Sequence, residues 1–127
     1  MKKNAPKQLE KIHDISGDCM AKGLDISDED YQKIKSSSII LHVAASVRFD
    51  DSLKNAILMN TRGTVEVCEL ALKLKNLKAI VHVSTTYCNA LRNTIDEKVY
   101  DNKNDWKTYI KYAETFSQEI LDCLTPQ

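Results

Sequence analysis

IILHVAASVRFD (39–50), DSLKNAILMNTRGTVEVCELALKLKN (51–76) and LKAIVHVSTTYCN (77–89) follow one another in the middle of the chain. The first opens with a mostly apolar run, Ile39-Ile40-Leu41-His42-Val43-Ala44-Ala45, with serines on both sides. Such a run suits a strand covered on both faces, as a parallel sheet requires. The second sets Leu53, Ala56, Ile57, Asn60, Thr64, Val67, Leu70, Ala71 and Leu74 at steps of three and four. That spacing lays one stripe down a helix, which Asp50 or Asp51 is placed to cap. The third carries a second short strand, Ala79-Ile80-Val81-His82-Val83, ending in the hydroxyl run Ser84-Thr85-Thr86. Strand, helix and strand within about fifty residues predict a βαβ crossover between parallel strands, 39–44 beside 79–84. Ligands of such sheets sit beyond the carboxyl ends of the strands. Residues 46–50 and 84–89 are therefore where chemistry is expected.

A length of 127 residues fits one domain. The 18 basic side chains balance 18 acidic ones, so no basic surface points to nucleic acid or an anionic membrane. The start, MKKNAPKQLEKIHDIS, is charged but lacks the apolar stretch of a signal peptide. No apolar run approaches the ~20 residues needed to span a bilayer. Cys19, Cys68, Cys88 and Cys123 are widely spaced, and so are His13, His42 and His82. Neither set has metal-ligand spacing, so reduced structural thiols and no metal site are expected. His42 and His82 each interrupt an apolar strand, where a buried imidazole with a hydrogen-bond partner is the plain reading.

Outside the crossover, Leu9–Ser16 is a weak strand candidate anchored by Ile12 and Ile15, ended by a turn at Gly17-Asp18. Ser27 with Asp30 three residues later makes a capping-box variant for a helix that should stop near serines 36–38. Tyr31 and Ile34 can face inward from it. Residues 90–105 are polar and without a sustained period, and so read as a long loop. Asn104 or Asp105 is placed to cap a last helix whose stripe runs through Trp106, Tyr109, Ile110, Ala113, Phe116, Ile120, Leu121 and Leu124.

A nucleotide-binding sheet usually carries a Gly-rich turn after its first strand, because only glycine lets backbone amides approach a pyrophosphate. Gly17, Gly23 and Gly63 are too far apart to form one. Other strings are more specific: GD (17–18), LDIS (24–27) before an acidic helix, IILHVAASVRFD, NTRGTVEVCELA (60–71), KNLKAIVHVSTTYCN (75–89) and EKVY (97–100). Together these closely resemble the fatty acyl-CoA reductases, insect ones especially, within the extended short-chain dehydrogenase/reductase group. The resemblance implies an α/β fold, a partial Rossmann-type parallel sheet with flanking helices. It also implies NADPH as cofactor and a long-chain fatty acyl-CoA as substrate, reduced through an aldehyde to a fatty alcohol. For this segment it implies the cytoplasmic face, with the parent protein at a peroxisomal or endoplasmic reticulum membrane.

The resemblance gives individual residues their expected roles. Asp18 resembles the acid that contacts the adenine, although a turn-forming aspartate is an equal alternative. His42, Ala44 and Ala45 resemble the stretch that lies along the cofactor, where a side chain larger than alanine would push the adenosine away; plain strand-end packing is the alternative. Asn60 resembles the helix asparagine that supports the proton relay. Thr85, with Ser84 second, resembles the hydroxyl that donates to the carbonyl being reduced; a strand-ending turn is the alternative. Tyr87 is expected to shape the pocket. The family's general acid is a tyrosine with a lysine four residues on, and Tyr31–Lys35 has that spacing but precedes the hydroxyl element instead of following it.

On this reading residues 1–127 are a fragment of one dinucleotide-binding domain, ordered over about 9–124, that lacks the first two strands and the later part of the fold. Strands left without neighbours would expose apolar faces and edges, and the first strand would be displaced or unpaired. Two other functions stay open. One is a different enzyme of the extended group, such as an epimerase, a dehydratase or a carboxylic acid reductase domain. The other is a module that keeps the scaffold as a non-catalytic binding surface.

Overall fold

A computed structural model of the chain describes residues 6–89, 92–101 and 104–124. Two strands, β1 (Ile39–His42) and β2 (Ala79–His82), form a parallel pair. Ile39 lies opposite Ala79, Ile40 opposite Ile80, Leu41 opposite Val81 and His42 opposite His82. The expected pairing is present, with each strand two residues shorter than expected. One more bond, from the Val83 amide to the His42 carbonyl at 3.0 Å, extends the ladder past β2.

The crossover between them is a helix in three parts: α3 (Leu53–Ala56), a π-helical turn (Ile57–Arg62) and α4 (Gly63–Lys73). Ser52 caps α3 by accepting from the Asn55 amide. Asp50 and Asp51 do not cap it. The Asp51 carboxylate faces Ser46 and the Asn55 side chain instead, and the shorter Ser52 side chain reaches the first-turn amide. Before the sheet, α2 (Asp28–Ile34) starts as expected, with Ser27 accepting from the Asp30 amide.

The described chain opens with α1 (Pro6–Leu9), and Leu9–Ser16 forms no strand. Ile12 stands in water instead of anchoring a sheet. With no neighbour to take its backbone bonds, a lone strand has nothing to hold it extended. After the 92–101 segment, Asp105 caps α5 (Trp106–Thr115), its carboxylate accepting from the Lys107 amide and the Thr108 hydroxyl. The single last helix read from the sequence is two helices. The backbone turns extended at Phe116, and α6 (Gln118–Leu124) restarts with the Ser117 carbonyl accepting from the Leu121 amide.

The buried core lies on the helical side. Leu24, Val67, Leu74, Ala113 and Leu121 are its hydrophobic members, drawn from the 22–25 turn, α4 and the residue that ends it, α5 and α6. Gly63 makes that packing possible. A Cβ there would stand 2.8 Å from the Cys19 carbonyl oxygen, so the helix can approach this backbone only without a side chain. Arg62, mostly buried, pairs with Glu114 at 3.0 Å, and Lys22 reaches the same carboxylate at 3.3 Å. Arg62, followed by Lys22, holds the Glu114 carboxyl below its usual range. This knot ties α5 to the π-helical turn and to the loop before α2.

The sheet is the opposite case. Ile39, Leu41, Val43, Ile80, Val81 and Val83 are all exposed, from 41% at Ile80 to 69% at Leu41, so β1 and β2 are not covered on both faces.

Candidate functional site

Because β1 and β2 are parallel and in register, their carboxyl ends release the two following loops side by side. The first loop is braced by polar bonds. Asn60 grips the backbone of Ser46 twice: its Oδ1 accepts from the Ser46 amide at 2.8 Å, and its Nδ2 donates to the Ser46 carbonyl at 3.3 Å. The Ser46 hydroxyl donates to Asp51 at 2.9 Å, and Arg48 meets both carboxylate oxygens of Asp50 at 3.1 and 3.2 Å. The Ser46 hydroxyl, followed by the Asn55 amide, holds the Asp51 carboxyl below its usual range. Asn60 belongs to the π-helical turn, a form that often marks functional sites. Its own carbonyl accepts from the Thr64 hydroxyl at 2.8 Å.

Thr64 in turn lies 3.1 Å from His42 Nε2. His42 is buried, and its ring stacks on His82 with centroids 5.0 Å apart. Burial, followed by the neighbouring His82, lowers the His42 pKa. A continuous contact path therefore runs from His82 through His42, Thr64 and Asn60 to the backbone of Ser46. His42 points into this network, the buried and partnered imidazole of the plain reading. His82 does not match that reading, since it is exposed. It lines a groove of about 490 Å³ with Asn60, Thr64, Cys68, Glu69 and Trp106.

Ala44 and Ala45 are exposed just past β1. Ser84 and Thr85 are exposed just past β2. Thr85 Oγ1 accepts from the Tyr87 amide at 3.3 Å, and the Thr85 carbonyl accepts from the Cys88 amide, which opens the short 3-10 turn Thr86–Asn89. A hydroxyl used as an acceptor keeps its hydrogen for a second partner. The two loops touch where Phe49 meets Tyr87 edge to face, centroids 5.7 Å apart. Asp18 holds its own turn, its Oδ1 accepting from the Met20 amide at 2.8 Å. The Tyr31 hydroxyl donates to the Lys73 carbonyl at 3.3 Å, a packing contact between α2 and α4.

Thus the structure joins Asn60 to the loop after β1, sets Thr85 and Ser84 in the neighbouring loop, and puts Asp18 in a separate turn. The histidine stack, Gly63 and the Phe49–Tyr87 contact were not anticipated. The stack had a visible signal, because IILH and AIVH end alike and pair in register. The exposed methyls and backbone of Ala44 and Ala45 fit one wall of a dinucleotide site, since they leave room for close approach. No helix among the described residues is long and apolar enough to cross a membrane.

Comparison with known proteins agrees with this geometry. Residues 1–125 match the NAD-binding family described as Male sterility protein. The chain is 41% identical over 127 residues to fatty acyl-CoA reductase wat of Drosophila melanogaster, covering 99% of this chain and 25% of that protein. It is 36% identical over 128 residues to fatty acyl-CoA reductase 2 of Homo sapiens, covering all of this chain and 25% of that protein. Human fatty acyl-CoA reductase 1 is 37% identical over 123 residues, 96% of this chain and 24% of that protein. The chain thus spans about a quarter of the length of these relatives. No solved structure matches it. With a parallel βαβ unit at its centre and a family match along nearly its whole length, the chain belongs to the Male sterility family of NAD-binding domains.

Proposed function

We propose that residues 1–127 are part of the dinucleotide-binding domain of an NADPH-dependent fatty acyl-CoA reductase, which converts a long-chain acyl-CoA to a fatty alcohol. One observation carries this reading. Small residues past β1 and hydroxyls past β2 stand on adjacent loops at the carboxyl ends of in-register parallel strands. Ligands bind at that edge in sheets of this type, and the relatives named above are fatty acyl-CoA reductases.

A bound nicotinamide cofactor would supply the hydride. Ala44 and Ala45 would hold it at the end of β1, with His42 fixing the strand end beneath them and Asp18 as the residue for the adenine. Thr85 donates its hydroxyl hydrogen to the substrate carbonyl oxygen, which gains negative charge as the carbon is reduced, and Ser84 is the second candidate for that role. Asn60 acts through Ser46: it fixes the loop after β1 and so the position of the cofactor's surroundings. The domain works on the cytoplasmic side of a peroxisomal or endoplasmic reticulum membrane.

The test uses the full-length protein from the native transcript, incubated with NADPH and palmitoyl-CoA. Hexadecanol should form with two hydrides consumed per thioester. Thr85→Val should lower kcat by about 100-fold, the scale of losing one donor to a developing oxyanion. Absence of alcohol and aldehyde with either NADPH or NADH would rule the reading out.

A further inference from the structure

Val43, Ala44 and Ala45 lie between two anchors, and one stretch of helix supplies both. At the near end, His42 Nε2 lies 3.1 Å from the Thr64 hydroxyl. At the far end, Asn60 accepts from the Ser46 amide at 2.8 Å and donates to the Ser46 carbonyl at 3.3 Å. Asn60 and Thr64 are four residues apart, a spacing that puts them on one side of a helix. The Thr64 hydroxyl also joins the two anchors, because it donates to the Asn60 carbonyl at 2.8 Å. A closed ring results, from His42 through Thr64 and Asn60 to Ser46 and back along the three residues between. Those three carry no polar side chain and are exposed, so the ring holds them through their ends.

The direction of each bond in the ring follows from donor chemistry. A carbonyl oxygen only accepts, so the one hydrogen of the Thr64 hydroxyl goes to Asn60. Thr64 Oγ1 is left to accept from the imidazole, which assigns a hydrogen to His42 Nε2. We propose that Thr64 is a positioning residue for the dinucleotide: with His42 as its donor, it holds one end of the 43–45 segment while Asn60 holds the other. The proposal rests on the reductase reading, which sets Ala44 and Ala45 against the cofactor, and adds the residue that keeps them in place. Thr64 acts through its two partners, so its loss is felt in cofactor binding and not in the chemical step.

The measurement is kcat with KM for NADPH and for palmitoyl-CoA, on the full-length protein as wild type, Thr64→Val, Thr64→Ser, His42→Phe and the double variant of Thr64→Val with His42→Phe. Thr64→Val keeps the shape and removes the hydroxyl. It should raise KM for NADPH by about tenfold, the scale of one hydrogen bond lost with its donor left buried. At saturating NADPH, kcat and KM for palmitoyl-CoA should stay within about twofold, whereas a merely unstable variant would lose kcat. Thr64→Ser keeps the hydroxyl and should restore most of the loss. His42→Phe keeps a flat ring against His82 and removes only the donor, so it should raise KM for NADPH by a smaller factor. The double variant should be no worse than Thr64→Val, because both changes cut one chain. An unmoved KM for NADPH in Thr64→Val, a Thr64→Ser as impaired as Thr64→Val, or single losses that multiply in the double variant would each overturn the proposal. Wild-type turnover would leave the reductase reading standing in all three cases. Should Thr64→Val not fold, an unmoved KM for NADPH in His42→Phe overturns the proposal alone. A wild-type protein that reduces no palmitoyl-CoA removes both.

Discussion

The helical side and the sheet of this chain solve the same problem differently. Around α4 the side chains find cover: Val67, Leu74, Ala113 and Leu121 are buried, and Glu114 pairs with Arg62 and Lys22. Across β1 and β2 the apolar side chains are mostly exposed, and His42 is the one buried residue. The difference shows that burial here follows the available partners and not hydrophobicity. Leu41 and Leu121 are the same residue type, one 69% exposed and the other 1%.

Leu121→Ala offers the largest test of that contrast. Emptying this fully buried site should cost about 2–5 kcal/mol, read by urea denaturation followed by circular dichroism. A loss within experimental error would mean that the helical side is not the core. Gly63→Ala comes next and has a reversed sign. Such a change inside a helix ordinarily stabilises by about 1 kcal/mol, but here the new methyl meets the Cys19 carbonyl. A net loss of about 1–3 kcal/mol is expected, and a gain in the same denaturation curve would show that the backbone yields.

The third test lies at the boundary between the two regions, where His42 packs beneath the sheet with His82 stacked on it and Thr64 at its Nε2. Folding lowers this imidazole's pKa, so the unfolded chain binds its proton more readily. Stability should hold above the ordinary value of 6.5 and fall as the pH drops through it toward the depressed folded value. His42→Gln should flatten that decline, with exposed His82 and the groove residue Glu69 left unchanged. A profile identical to wild type would place the titration elsewhere. The smallest effect belongs to the sheet: Leu41→Thr should change stability by no more than about 0.5 kcal/mol. A larger loss in the full-length protein than in this chain would measure the cover that other segments provide.

Local signals were readable in advance wherever the cause was local. The parallel pair, the Ser27 cap and the Asp105 cap follow from short-range spacing and capping chemistry, and all three are present. The residues at the carboxyl ends of the strands were equally legible, because topology puts loops there whatever their letters. Features that depend on an encounter between distant segments were not legible. Gly63 reads as a poor helix residue until Cys19 arrives beside it. Ser52, next to the first helical residue Leu53, takes the cap, while Asp51 accepts from the Ser46 hydroxyl. Leu9–Ser16 has a strand's letters, but no neighbour among the described residues makes it one.

The π-helical turn has a consequence for how this stretch can vary. Each residue of an ordinary helix advances the azimuth by about 100°. A π turn holds one residue more than an α turn, so deleting one residue between Ile57 and Arg62 would let the stretch close into regular α-helix and keep the flanking helices in register. Gly63 would keep its place against Cys19, but Asn60 would lose its aim at Ser46. The extra residue of this turn therefore serves the loop after β1 and not the packing of α4.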